Sequence, residues 1–118
     1  MTVQECYEAF GGNYQEVISR LRTDERVVRF LQKVVSDGSY KLLCDSIASG
    51  NADEAFRAAH TLKGVCMNLS ITRFAESATA LTEALREKRA ITDDLLPLLE
   101  KVKEDYELTI NSILQLAQ

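Results

Sequence analysis

The sequence predicts an all-α protein: an antiparallel up-and-down four-helix bundle with additional short N-terminal helices. Three observations carry that expectation. Apolar residues recur at intervals of three and four along every long segment, which is the period of an amphipathic helix. The punctuation between those segments is brief and consists of helix caps and tight links. Five glycines, one proline and no tryptophan in 118 residues are too few for an all-β design with many tight turns.

Val3 to Phe10 reads as a short helix, ended by Gly11-Gly12. Asn13 caps a second, with Val17, Ile18 and Leu21 as its apolar positions. Thr23-Asp24 caps a third, in which Val27, Phe30 or Leu31, and Val34 keep the period, and Asp37-Gly38 closes it. A fourth runs from Tyr40 to Ser49 with Leu43, Ile47 and Ala48 facing inward, and Gly50 ends it. Asn51-Ala52-Asp53-Glu54 opens the fifth, because an Asn cap followed three residues later by Glu is a capping-box pattern.

The fifth helix carries the stripe Ala55, Ala59, Leu62, Cys66 and Leu69, spaced 4, 3, 4, 3. Its small residues Ala55 and Ala59 allow a neighbouring helix to come close. Ser70 and Ile71 form a short link to a sixth helix, with Phe74, Ala78, Leu81 and Leu85 at the same spacing. So short a link predicts an antiparallel hairpin. Residues 87–96 are a polar connection that turns apolar. Pro97 is expected at the first position of the last helix, where its missing N–H costs nothing. Leu99, Val102, Tyr106, Ile110, Ile113 and Ala117 continue the period. The longest helices, the third, fifth, sixth and last, are expected to build the bundle.

Composition narrows the function. Residues 1–118 are expected to form a single stand-alone domain, large enough to bury a core without staples. The apolar fraction of 46% and charged fraction of 27% are those of an ordinary globular chain. A net charge of −4 offers no basic footprint for nucleic acid. No apolar run reaches the roughly 18 residues of a membrane span, and the first ten residues lack the pattern of a signal peptide. Cys6, Cys44 and Cys66 are odd in number and widely spaced, and one histidine cannot complete a common zinc site. Structural cysteines in a reducing cytoplasm are therefore expected. A monomer is expected too, since the helices can satisfy one another within one bundle.

His60, the single histidine, stands in the run Ala58-Ala59-His60-Thr61-Leu62-Lys63-Gly64. At 100° per residue, it lies roughly 140° from the centre of the apolar stripe, so it faces solvent. Lys63, Gly64 and Met67 lie within roughly 60° of it, and Phe56 sits one turn earlier on the same face. Imidazole offers a nitrogen nucleophile that is largely neutral near pH 7. Lysine offers a point charge suited to a phosphoryl group. Glycine costs a helix interior about 1 kcal/mol relative to alanine, but it removes a side chain beside the ring and lets another molecule approach.

The stretch A-A-H-T-L-K-G-V-C-M-N-L-S, residues 58–70, resembles the histidine-containing phosphotransfer (HPt) domains of two-component phosphorelays. The likeness continues more loosely to Arg86. Two positions depart from the family pattern. Met67 stands where Ala, Gly or Ser is usual, and Ser70 stands where Gly is usual. The resemblance implies that His60 accepts a phosphoryl group and donates it to an aspartate of a response-regulator receiver domain, with Nε2 as the acceptor atom. Lys63 is then expected to stabilise the phosphoryl oxygens. Helix geometry sets Phe56, Gly64 and Met67 on the expected docking face and Arg57 at its rim, although Phe56 is equally placed to fold back under a neighbouring helix and solvated surface is the default for Arg57. The partners the resemblance implies are a receiver domain and/or a histidine kinase, with no nucleic acid and no membrane. No cofactor is expected on this chain, because magnesium belongs to the receiver.

The chain lacks the pattern G-x-x-x-x-G-K-[ST] and the glycine-rich boxes with which histidine kinases hold ATP. A carrier is expected, not a kinase. The alternative is a non-phosphorylated helical adaptor that docks a receiver through Phe56 and Met67 and leaves His60 incidental. A hydrolase with His60 as general base is disfavoured, because Asp53 lies two turns away and cannot orient the ring. Asn68 is expected to bond near the helix end.

Overall fold

The computed structural model describes residues 1–116, all of whose regular structure is helical. Seven α-helices follow one another: α1 (Val3–Phe10), α2 (Tyr14–Leu21), α3 (Asp24–Ser36), α4 (Ser39–Ala48), α5 (Ala52–Asn68), α6 (Thr72–Leu85) and α7 (Leu96–Leu116). A 3-10 turn at Asp93–Leu95 leads into α7. None of the helices is long and apolar enough to cross a membrane.

Caps set most of the boundaries. The side chains of Asn13, Thr23 and Asn51 accept from the backbone N–H of Glu16, Arg26 and Glu54, satisfying donors that a helix start leaves orphaned. The box expected at Asn51 is half formed, since the Glu54 carboxylate accepts from Arg57 instead. A full reciprocal box also stands at Thr2 and Glu5, a start that the apolar spacing does not mark. Pro97 occupies the second position of α7, because the 3-10 turn lets the helix begin at Leu96. The link between α5 and α6 spans residues 69–71.

The helices that pack along one another are α4 with α5, α5 with α6, and α6 with α7. The short links before α5 and α6, and the longer connection over residues 86–95, join these neighbours into an up-and-down bundle. The third helix, expected as a bundle member, packs on α2 and α7 at one end instead. The break at Asp37, whose backbone is extended, hands its place beside α5 to the shorter α4. Stacked rings of Tyr40 and Tyr106, with centroids 3.7 Å apart, join α4 to α7. α7 is 21 residues long. At 1.5 Å per residue it measures about 31 Å, long enough to reach beyond α6 to α1 and α3.

The expected stripe of α5 is buried at every position: Ala55, Ala59, Leu62, Cys66 and Leu69. So are Phe74, Ala78, Leu81 and Leu85 of α6. In α3 it is Leu31 that enters the core, while Phe30 is exposed and lies beneath the Lys33 ammonium. Ala48, expected inward, is exposed at the last position of α4. On α7, Val102 and Ile113 are buried, whereas Leu99, Tyr106 and Ile110 are only partly covered; Ala117 lies outside the described residues. The buried face of α7 is rotated toward Asp105, Thr109 and Ser112. Asp105 accepts from the Lys101 ammonium at 2.9 Å, and Thr109 and Ser112 return their hydroxyls to carbonyls one turn back. All three cysteines are free thiols, and burial pushes that of Cys66 up to about 12.

The N-terminal helices are tied to the α5–α6 turn. The buried Tyr7 hydroxyl donates to the Leu69 carbonyl at 2.7 Å, and the Asn13 N–H donates to the Ser70 carbonyl at 2.9 Å. Gly12 makes this approach possible: a Cβ there would stand 2.8 Å from the Ser70 carbonyl oxygen and 2.6 Å from the rings of Phe10 and Tyr7.

Candidate functional site

α5 and α6 present the face that carries His60. The opposite side of α5 is buried by the stripe, so the helix has one rotational setting, and His60 is exposed. Phe56, one turn before it, is half-buried. Its ring lies nearly parallel to the imidazole, at 18° and 6.0 Å between centroids. Phe56 thus acts as a floor on one side of the ring, and only part of it belongs to the surface. Lys63 is half-buried one turn after His60, and it enters none of the ion pairs among the described residues. At Gly64 an added Cβ would meet nothing within 4 Å. The ring is therefore open to an approaching molecule along this side. Met67 is 53% exposed.

Met67 also borders a shallow, mostly apolar cleft with Thr72, Ala75, Glu76, Thr79 and Ala80 of α6. The His60 face and this cleft form one continuous strip along the hairpin. A separate cleft, lined by Leu21, Phe30, Val34, Val65 and Leu69, lies on another side of α5 and does not include His60.

Arg57, expected at the docking rim, is exposed and engaged within its own helix. It pairs with Asp53 at 3.1 Å and Glu54 at 3.4 Å, and its carbonyl accepts the Thr61 hydroxyl. Asn68 is exposed, with no side-chain hydrogen bond among the described residues, so the expected cap at the helix end is not formed. The helix end is held instead by Leu69 and Ser70, whose N–H groups donate to Val65 and Met67.

Two residues beside this site, both from α6 and its end, carry no signal of it in the sequence. Arg86 lies with its guanidinium 5.2 Å from the centre of the Phe56 ring, on the residue that floors His60. Glu83 accepts two hydrogen bonds from Arg86, at 3.1 and 3.0 Å. The Arg86 hydrogen bonds, and then the nearby charges of Arg86, Lys63 and His60, hold the Glu83 carboxyl below its usual range. An acid and a base three apart near a helix end are an ordinary surface pair in sequence. Only the hairpin brings them to the histidine.

Ser70 is the other finding. It adopts a left-handed backbone conformation, φ 55, and is 3% exposed. Its hydroxyl donates to Glu16 at 2.6 Å and accepts from Arg20, so the α5–α6 turn is bound to α2. Among the described residues no group of three or more His, Cys, Asp or Glu side chains is placed to hold a metal ion.

The arrangement can present one imidazole nitrogen to solvent beside an ammonium that enters no ion pair among the described residues, above an aromatic floor and beside an apolar strip. A family model described as Hpt domain matches residues 14–112. No curated protein and no solved structure gives a significant match.

Proposed function

The chain belongs to the Hpt domain family, phosphocarrier modules of two-component phosphorelays, and from that premise we propose that His60 is its phosphoacceptor. The observation that carries this reading is the setting of the chain's single histidine: exposed, floored by Phe56, with Lys63 one turn on and open space over Gly64.

The donor and acceptor partner is an aspartate on a response-regulator receiver domain. In the forward direction the lone pair of Nε2 attacks phosphorus of the aspartyl phosphate. The P–O bond to the carboxyl group breaks, and its electron pair stays on the carboxylate. The new N–P bond leaves the ring as an imidazolium that keeps its other N–H. Such a transfer needs positioning and charge stabilisation more than covalent help from the protein. Lys63, one turn on and in no ion pair among the described residues, is the group that meets the phosphoryl oxygens. Magnesium and a second lysine come from the receiver. The carrier holds no nucleotide and works as a monomer in the cytoplasm.

The test is incubation with a phosphorylated receiver domain. Acid-labile phosphate should appear on His60. His60→Gln should abolish it while leaving the circular dichroism melt within about 0.5 kcal/mol of wild type, as for a surface substitution. The exposed Met67 and its apolar cleft also suit an adaptor that docks a receiver without accepting phosphate. Receiver binding with no phosphate on His60 would establish that second reading in place of the first.

A further inference from the structure

The proposed chemistry uses His60 and Lys63 and leaves Glu83 and Arg86 without a role, although they complete a chain of contacts that ends on the imidazole. Glu83 grips the Arg86 guanidinium with both oxygens, Arg86 lies over the Phe56 ring, and Phe56 lies against His60. Arg86 is therefore committed to a carboxylate while it stands beside the ring. The charges of Lys63 and His60 add in the same direction to the Arg86 bonds that hold the Glu83 carboxyl low.

We propose that Glu83 is a positioning residue that sets the phosphoryl-transfer potential of His60, keeping the bound phosphoryl group easy to donate. The inference rests on the assignment of His60 as phosphoacceptor. Glu83 acts in two ways of the same sign. Its charge opposes the negative charge that arrives with a phosphoryl group. It also holds Arg86 in a bidentate pair, which withholds the guanidinium from the phosphoryl oxygens. A carrier must release what it accepts. An uncompensated cluster of Lys63 and Arg86 would hold the phosphoryl group tightly and hinder its return to an aspartate.

These groups are exposed, so salt screens them, with a Debye length of about 8 Å at physiological ionic strength. The effect is therefore several-fold and depends on salt. Phosphoramidate supplies the probe, because its reaction with imidazole to give phosphohistidine and ammonia can be followed to equilibrium by phosphorus NMR in ammonium buffer. At low salt, Glu83→Gln should raise the equilibrium constant for phospho-His60 by about three- to tenfold, and Arg86→Gln should lower it. Glu83→Asp, which keeps the charge, should stay near wild type. High salt should bring all four proteins together. Thermal melts of the variants should match wild type, since both side chains are half exposed.

An unchanged constant in Glu83→Gln, a shift toward less phospho-His60, or a salt-independent shift would overturn the proposal. So would a change of the same sign in Arg86→Gln. Wild-type protein that takes no phosphate on His60 would instead remove the phosphoacceptor assignment itself, and this inference with it.

Discussion

Ser70 shows how one residue can hold a conformation its side chain disfavours. At φ 55 a Cβ costs about 1–2 kcal/mol, which glycine escapes. Ser70 offsets that cost through Glu16 and Arg20, and each such bond is worth about 0.5–1.5 kcal/mol net. The two effects nearly cancel. Ser70→Gly, which loses both the bonds and the strain, should therefore stay within about 1 kcal/mol of wild type. Ser70→Ala, which loses the bonds and keeps the strain, should cost about 1–2 kcal/mol. Urea melts of the three proteins check the order; an alanine variant as stable as wild type would mean that the bonds to α2 contribute nothing, and one as stable as the glycine variant that the left-handed backbone costs nothing. At this scale the sequence was informative about single chemistry and blind to coupling. The exposure of His60 follows from its angle to a regular stripe. The pairing of Ser70 with residues 50 and 54 positions earlier leaves no local trace. Glu83 and Arg86 do show as a local pair, but their approach to Phe56 and His60 does not.

At the scale of elements, α5 was legible because its requirements agree. Asn51 caps it, five apolar residues mark its inner face, and all five are buried. Gly64 is the exception within it, a weak helix former in a helix interior. An added Cβ there would touch nothing, so no packing reason requires the glycine. Gly64→Ala should therefore stabilise the fold, by up to about 1 kcal/mol, and Gly64→Gln should fold normally yet slow transfer from a phosphorylated receiver. The measurements are a thermal melt and the rate of label transfer; a glutamine variant at full rate would sink the access argument. The exchange of α3 for α4 beside α5 was not legible in the same way. Both helices carry apolar residues at the right period, so length alone favoured α3. What decides is the extended backbone at Asp37, which redirects the chain before α4 begins. A break of two residues sets a direction in space, and periodicity carries no information about direction. The rotation of α7 was hidden for a similar reason. Its inner face includes Asp105, whose carboxylate is buried against Lys101, and a charged residue on a hydrophobic face is invisible to a search for apolar spacing.

At the scale of the whole molecule, the N-terminal helices brace the end of the α5–α6 hairpin that carries the His60 face. α2 is bound to the hairpin turn through Ser70, and Arg20 also reaches the Met67 carbonyl at 3.5 Å. The hairpin end is thereby braced from behind while its outer strip stays open. Met67 is the most exposed large apolar side chain on that strip, at 53%, and it shares a cleft with Ala75 and Ala80. Its position, where small residues are usual in the family, could mean added contact or obstruction. Physical properties favour contact. The side chain is unbranched and flexible, it lies two turns from His60 so that it borders the ring without covering it, and the space over Gly64 between them is empty. Met67→Ala should then weaken binding of a receiver domain by about three- to tenfold, the loss of a modest apolar contact at an interface. Phosphorylation of His60 by phosphoramidate, which needs no docking surface, should proceed at the wild-type rate. Titration calorimetry with the receiver and phosphorus NMR with the small donor separate the two effects. Tighter receiver binding by the alanine variant would reverse the assignment and make Met67 an obstruction, so that the strip would owe its affinity to α6 alone.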